Sequence, residues 1–185
     1  MDVKTILEAD SRLSKGMGVA ERPGLLRTVA VFFAHSGDSW FWGAGLFVLW
    51  IFGSPLWKQW AIALVGSIGI LAIVVLAIKR LIRRERPEGL WGMIYRKTDP
   101  HSFPSGHAAR AFMLAVLAAG LGPAWLPLYL WIWAPLVSAA RVAMGVHYLS
   151  DIIGGMVLGI LAGLLMLQLL PPILAVLSSV FPWLW

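Results

Sequence analysis

Ionisable side chains are scarce in this sequence, and those that could do chemistry together fall into three clusters. The first is Lys79-Arg80-Leu81-Ile82-Arg83-Arg84-Glu85-Arg86-Pro87. A helix continued to Arg86 puts Lys79, Arg83 and Arg86 on one face, four and three residues apart, where their cations converge on an anion. Pro87 then turns the chain off that axis. Basic residues at such a place also serve simply to anchor a span at lipid headgroups. The second cluster is Ser102-Phe103-Pro104-Ser105-Gly106-His107. Here Pro104 and Gly106 shape a tight loop, Ser105 supplies a hydroxyl, and the helix that follows offers free backbone amides to an anion. Those are the parts of a phosphate cradle, and Ser105 is equally suited to cap that helix. Capping leaves His107 unexplained. The third cluster is Arg141, His147 and Asp151. In a helix that begins by His147, Asp151 lies one turn on, accepts a hydrogen bond from one imidazole nitrogen and leaves the other free to attack. An ordinary helix-surface hydrogen bond has the same spacing.

The remaining polar residues carry plainer expectations. His35 and Asp38 suit a helix start and His101 a loop surface, so none is assigned catalysis. Arg80, Arg83, Arg84, Arg96 and Lys97 suit interfacial anchoring or contact with anionic headgroups. The 11 tryptophans read as interface and bundle packing.

The elements that must position these clusters are those of a membrane protein. Hydrophobic residues make up 59% of the chain and charged residues 13%, too few solvating groups for an ordinary water-soluble globule. There are no cysteines, which excludes disulfides, thiolate zinc sites and thiol catalysis. A crossing helix needs about 20 apolar residues. Five segments approach this: 40–53, 59–78, 108–121, 124–140 and 152–170. The first extends back toward Thr28 if His35, Ser36, Gly37 and Asp38 form a polar interruption, and the stretch 171–185 is expected to break at Pro171, Pro172 and Pro182. The fold class expected is therefore all-α, a polytopic bundle of about five spans, six if the segment near Thr28 crosses by itself. Residues 1–27 differ, with Lys4, Arg12, Lys15, Arg22 and Arg27 among acids and scattered apolar residues. A helix over 2–17 sets Ile6, Leu13 and Met17 on one side and Lys4, Glu8, Ser11 and Lys15 mostly on the other. Such an arm either lies on a membrane surface or packs on the domain formed by 28–185.

Taken together, Lys79-x6-Arg86-Pro87, Pro104-Ser105-Gly106-His107 and Arg141-x5-His147-x3-Asp151 resemble the tripartite signature of the type 2 phosphatidic acid phosphatase superfamily in order and in internal spacing. Ala140 departs from the pattern, which often has Ser there, and removes one hydroxyl ligand but no charged or proton-transferring group. The resemblance implies that His147 is the nucleophile and forms a phosphohistidine, with Asp151 holding its tautomer. It makes His107 the general acid toward the leaving alkoxide. Lys79, Arg86 and Arg141, with Ser105 and the Gly106 amide, would bind the phosphate. It implies no metal or other cofactor, because three cations already neutralise the phosphoryl oxygens.

The expected partner is a phosphorylated lipid in its bilayer, not nucleic acid, and no oligomeric state is assigned. The motifs read phosphate, not tail: phosphatidic acid, phosphatidylglycerophosphate, a polyprenyl phosphate or diphosphate, a prenyl-linked phosphosugar and a lipid A phosphate all suit them. Two other classes stand as alternatives: a transporter or binder that holds an anionic lipid without reacting, and a metal-dependent hydrolase with His107, His147 and Asp151 as ligands. In the five-span pattern the arm and all three motifs share one face, and of the 15 Lys and Arg only Lys58 lies in a connection on the other. The positive-inside rule turns the motif face toward the cytoplasm, while many members of the superfamily present theirs to the exterior.

Overall fold

The computed structural model describes residues 2–19, 21–96 and 98–185. Among them all regular structure is helical: α1 (Val3–Gly16), α2 (Leu25–Ser36), α3 (Ser39–Phe52), α4 (Pro55–Ile82), α5 (Leu90–Arg96), α6 (Gly106–Leu121), α7 (Leu126–Ala143) and α8 (Leu149–Val180), followed by a 3-10 turn over Pro182–Leu184. Helices α4, α7 and α8 are long and apolar enough to cross a membrane, and α2, α3 and α6 are shorter apolar helices. Ile70 and Ile73 of α4, and Ile153, Val157, Leu161 and Leu164 of α8, point outward and exposed. This surface suits lipid, where backbone polar groups must pair within their own helix.

Helix α6 is the axis of the bundle, buried at every position from Ala108 to Ala118. Its alanines let α8 approach closely. A Cβ added at Gly155 would stand 2.5 Å from the Ser105 carbonyl oxygen, one at Gly163 would stand 2.7 Å from Val116 Cβ, and one at Gly159 would collide with the Ala109 backbone. Small residues four apart are the usual means of close packing where lipid removes the hydrophobic drive between helices. Around α6, the described chain runs along the bundle four times, as α2 with α3, α4, α7 and α8. Val19 N donates to Ala143 O (2.8 Å), which starts α2 beside the end of α7. The indole of Trp133 then meets Ser36 Oγ (2.9 Å) at the other end of α2. Helix α3 continues in the same sense until Trp50 Nε1 reaches Leu184 O (3.1 Å), so α2 and α3 together make one interrupted passage, with its break at Gly37-Asp38.

Several expectations need correction. The helix does not carry Lys79, Arg83 and Arg86 on one face: α4 stops at Ile82 because Arg83 takes a left-handed conformation (φ 51°), and exposed Arg83 donates from Nε to Arg80 O. The last helix does not break at Pro171. It runs to Val180 through both prolines, with Leu170 and Leu174 packed in one core cluster on either side of them, and apolar surroundings offer its freed carbonyls no competing partner. Helix α8 begins after His147, at Leu149, with Tyr148 as N-cap. The N-terminal arm packs on the bundle with its polar side. Asp10 and Ser14 are buried against the start of α8, and Ile6, Leu7, Leu13 and Met17 stay exposed.

Candidate functional site

Helices α4 and α7 run toward one end of the bundle and α6 and α8 start from it, so two C-terminal turns and two N-terminal turns meet there. Lys79 and Arg141 occupy the C-terminal turns of α4 and α7, and Asp151 the first turn of α8, each with the charge that its helix end favours. Arg86 joins them from the chain that leaves α4, which folds back so that Ser102 N donates to Arg84 O (2.8 Å). Lys79, Arg86, Arg141, His147 and Asp151 are all buried. Burying this much charge in an apolar domain is costly unless it is paired or used.

A cavity of about 270 Å³ opens onto Lys79, Arg86, Gly106, His107, Arg141 and His147. Its other wall is apolar, formed by Ile68, Leu71, Ala72, Val75 and Leu76 of α4. Ser105 does not line it. That side chain is fully buried, its Oγ accepts from Ala108 N (3.4 Å) as the N-cap of α6, and its amide donates to Asp151 O (3.0 Å). A larger cavity of about 480 Å³ meets His147 from the other side, between α1 and residues 87–91, but Lys79, Arg86 and Arg141 do not line it.

The tautomer of His147 follows from its neighbours. Arg86 Nη1, which can only donate, lies 3.2 Å from His147 Nε2, so Nε2 is the acceptor and Nδ1 carries the proton. That Nδ1–H faces Asp151 Oδ2 at 3.4 Å. The same carboxylate oxygen accepts from Tyr148 N (2.8 Å), and Oδ1 accepts from Arg84 Nη1 (2.8 Å). Burial, then the cations Arg86, Arg141 and Lys79, push the His147 imidazole well below the ordinary histidine range, so it stays neutral with its Nε2 lone pair turned toward the cations.

His107 has a carboxylate of its own. Its Nε2 lies 2.7 Å from Asp38 Oδ1, and the other oxygen of Asp38 is 3.0 Å from His35 Nδ1. Arg110, one turn below His107, also lines the cavity and holds the break between α2 and α3 by donating to the Gly37 carbonyl and to Ser39 Oγ. Asp99 sits between two of the cations: its Oδ2 accepts from Lys79 Nζ and from Arg86 Nη2 (2.7 Å), and its carbonyl accepts from Arg86 Nε (2.6 Å). Sequence reasoning gave Asp38 a helix start without catalysis and did not single out Asp99 or Arg110. For Asp38 a signal existed, an acid inside an apolar segment. Arg84, expected at headgroups, instead points inward to Asp151 and Asp10, while Arg80 and Arg83 are exposed and Lys97 lies outside the described residues. Among the described residues no group of three or more histidines and carboxylates is placed to hold a metal ion.

Known proteins are similar to this one in sequence and in fold. Over 147 residues, 78% of this chain and 80% of the relative, the sequence is 34% identical to the decaprenylphosphoryl-5-phosphoribose phosphatase of Mycobacterium tuberculosis. The fold superposes on the crystal structure of Aquifex aeolicus LpxE with a TM-score of 0.66 at 27% identity, covering 85% of this chain and 93% of that one. It superposes on a transmembrane PAP2-type phosphatidylglycerolphosphate phosphatase from Bacillus subtilis with a TM-score of 0.65 at 25% identity, covering 88% and 84%. The model of the PAP2 superfamily matches residues 60–174, well over half the chain and all three clusters, and the protein belongs to that superfamily.

Proposed function

We propose that the protein removes phosphate from a membrane lipid through a phosphohistidine on His147. The observation that carries this reading is the two-walled cavity, with cations and both histidines on one side and a strip of α4 from Ile68 to Leu76 on the other. A phosphate seated at Lys79, Arg86 and Arg141 leaves its lipid chain lying along that strip. The His147 Nε2 lone pair attacks phosphorus, the bond from phosphorus to the lipid oxygen breaks, and His107 gives that oxygen a proton. Asp151 balances the imidazolium that forms. Water then attacks phosphorus, its proton passes to His107, and the electrons of the broken N–P bond return to Nε2. The three cations neutralise the equatorial oxygens throughout. The site end of the bundle is assigned to the cytoplasmic side on charge, since Lys58, in the first turn of α4, is the one basic residue among those described at the far end.

Phosphate release by the purified protein across phosphatidic acid, phosphatidylglycerophosphate, a prenyl phosphate, a prenyl diphosphate and a prenyl-linked phosphosugar tests the reading. Turnover of at least one, unaffected by chelators and abolished in His147→Ala, is expected. Turnover retained by folded His147→Ala overturns the nucleophile, loss in chelator that one metal restores favours a metal hydrolase, and binding of every lipid without release favours a non-catalytic binder.

A further inference from the structure

We propose that Asp10 and Arg84 are positioning residues for the His147–Asp151 pair, and that α1 packs on the bundle as the element that brings one of them there. This rests on the reading of His147 as the nucleophile.

Two independent sets of contacts converge on the first turn of α8. The opening amides of a helix have no partner within it. Here two of them are satisfied from α1: Leu149 N donates to Ser14 Oγ (2.9 Å) and Ser150 N to Asp10 Oδ1 (3.1 Å). The arm therefore caps, across more than 130 residues of sequence, the helix that carries Asp151. The second set is ionic. Arg84 Nη2 donates to Asp10 Oδ2 (2.7 Å), while its Nη1 donates to Asp151 Oδ1 (2.8 Å) and Ser150 Oγ (2.5 Å). The guanidinium also lies over the Tyr148 ring, 4.1 Å from its centre. Ser150 Oγ completes the ring by donating to Asp10 Oδ2. Asp10 keeps its charge in this setting. Burial works against its carboxylate, but Arg84 and Ser150 outweigh it and hold Asp10 below the ordinary carboxylate range.

The arrangement has a direct consequence for His147. Asp151 divides its two oxygens, one toward Arg84 and one toward the imidazole, and the imidazole contact is the longer, 3.4 Å against 2.8 Å. Asp10 shares the charge of Arg84. Without it, the whole cation bears on Asp151, draws the carboxylate from His147 and weakens it as counter-ion to the forming imidazolium. Neither Asp10 nor Arg84 touches the cavity that holds phosphate, so the loss falls on kcat and not on KM.

The test uses the full-length protein in detergent micelles with p-nitrophenyl phosphate, and follows kcat, KM and the thermal unfolding midpoint. Asp10→Asn keeps an oxygen for Ser150 N but loses the charge toward Arg84. It is expected to unfold near the wild-type temperature yet lose about 10-fold in kcat, by analogy with the outer partners of metal-ligating histidines, with KM within about twofold. A merely structural role would move stability and kcat together. Asp10→Glu is expected to recover part of the loss, and Asp10→Asn with Arg84→Gln to fall no more than about threefold below Arg84→Gln alone, because the two act through one carboxylate. Wild-type kcat in folded Asp10→Asn, or losses that multiply in the double variant, overturns the proposal. If Arg84→Gln does not fold, Asp10→Asn and Asp10→Glu decide it. Turnover that survives His147→Ala sinks the nucleophile reading beneath it, whereas an inactive His147→Ala beside a fully active Asp10→Asn sinks the positioning role alone.

Discussion

Each histidine at the site has its own carboxylate, Asp151 for His147 and Asp38 for His107, and the two pairs are fixed in different ways. Asp151 follows its histidine by four residues and reaches it within one turn of chain. Asp38 reaches His107 across 69 residues, from a break between two helices, and in the proposed reaction it supports His107 as the general acid. Asp38→Asn should therefore cost roughly 10- to 100-fold in kcat on a lipid alkoxide, which needs its proton, and far less on p-nitrophenyl phosphate, whose leaving group does not. Equal losses on both substrates would show that Asp38 does something other than support the acid. The contrast also explains what was legible in the sequence. Lys79, Arg86, His107, Arg141, His147 and Asp151 stand at fixed spacings beside helix ends, and the structure gathers them at one end of the bundle. Asp38, Asp99 and Asp10 act through partners distant in sequence, and no local spacing marks an acid as the counter-ion of a cation 13, 20 or 74 residues away.

Among the helices, long apolar runs announced themselves and their ends did not. The segments expected at 59–78, 124–140 and 152–170 are the cores of α4, α7 and α8. Each observed helix is longer because the apolar count stops at a polar residue or a proline, at Lys58, Lys79, Arg141, Asp151 and Pro171, and the helix continues past it. The expected stop at Pro171 failed for a physical reason: in water a proline's lost hydrogen bond is replaced by solvent, whereas in apolar packing the helix is the only place left for the remaining carbonyls. Helix α6 is short for a span, and its burial by α4, α7 and α8 accounts for that, since a helix without a lipid-facing side need not match the bilayer. Its contact with α8 is the seam at whose site end the Ser105 amide donates to the Asp151 carbonyl. Gly159→Val should open this seam, because its Cβ would collide with the Ala109 backbone. The expected cost is about 1–3 kcal/mol, read as a lower unfolding midpoint, together with loss of turnover. A variant with unchanged stability and activity would mean that the helices can separate without disturbing the site.

On the scale of the whole molecule, charge and connection length are both lopsided. The turns at the far end are short, 53–54 and 122–125, while the site end carries the arm, the return from 83 to 105 and the turn from 144 to 148. If the site end faces the cytoplasm, a cysteine in place of exposed Ala124 should react with a membrane-impermeant maleimide in intact cells, and one in place of Thr98 should not. The reverse pattern would put the chemistry outside. The cavity itself bears on how such a protein changes over time. Every residue proposed to meet phosphorus comes from the ends of four helices and the turns beside them, and the proposed bed for the lipid chain comes from one stretch of α4. Two jobs are thus written in separate parts of the chain, so substitutions between Ile68 and Leu76 can retune which tail is accepted while the reaction is inherited unaltered.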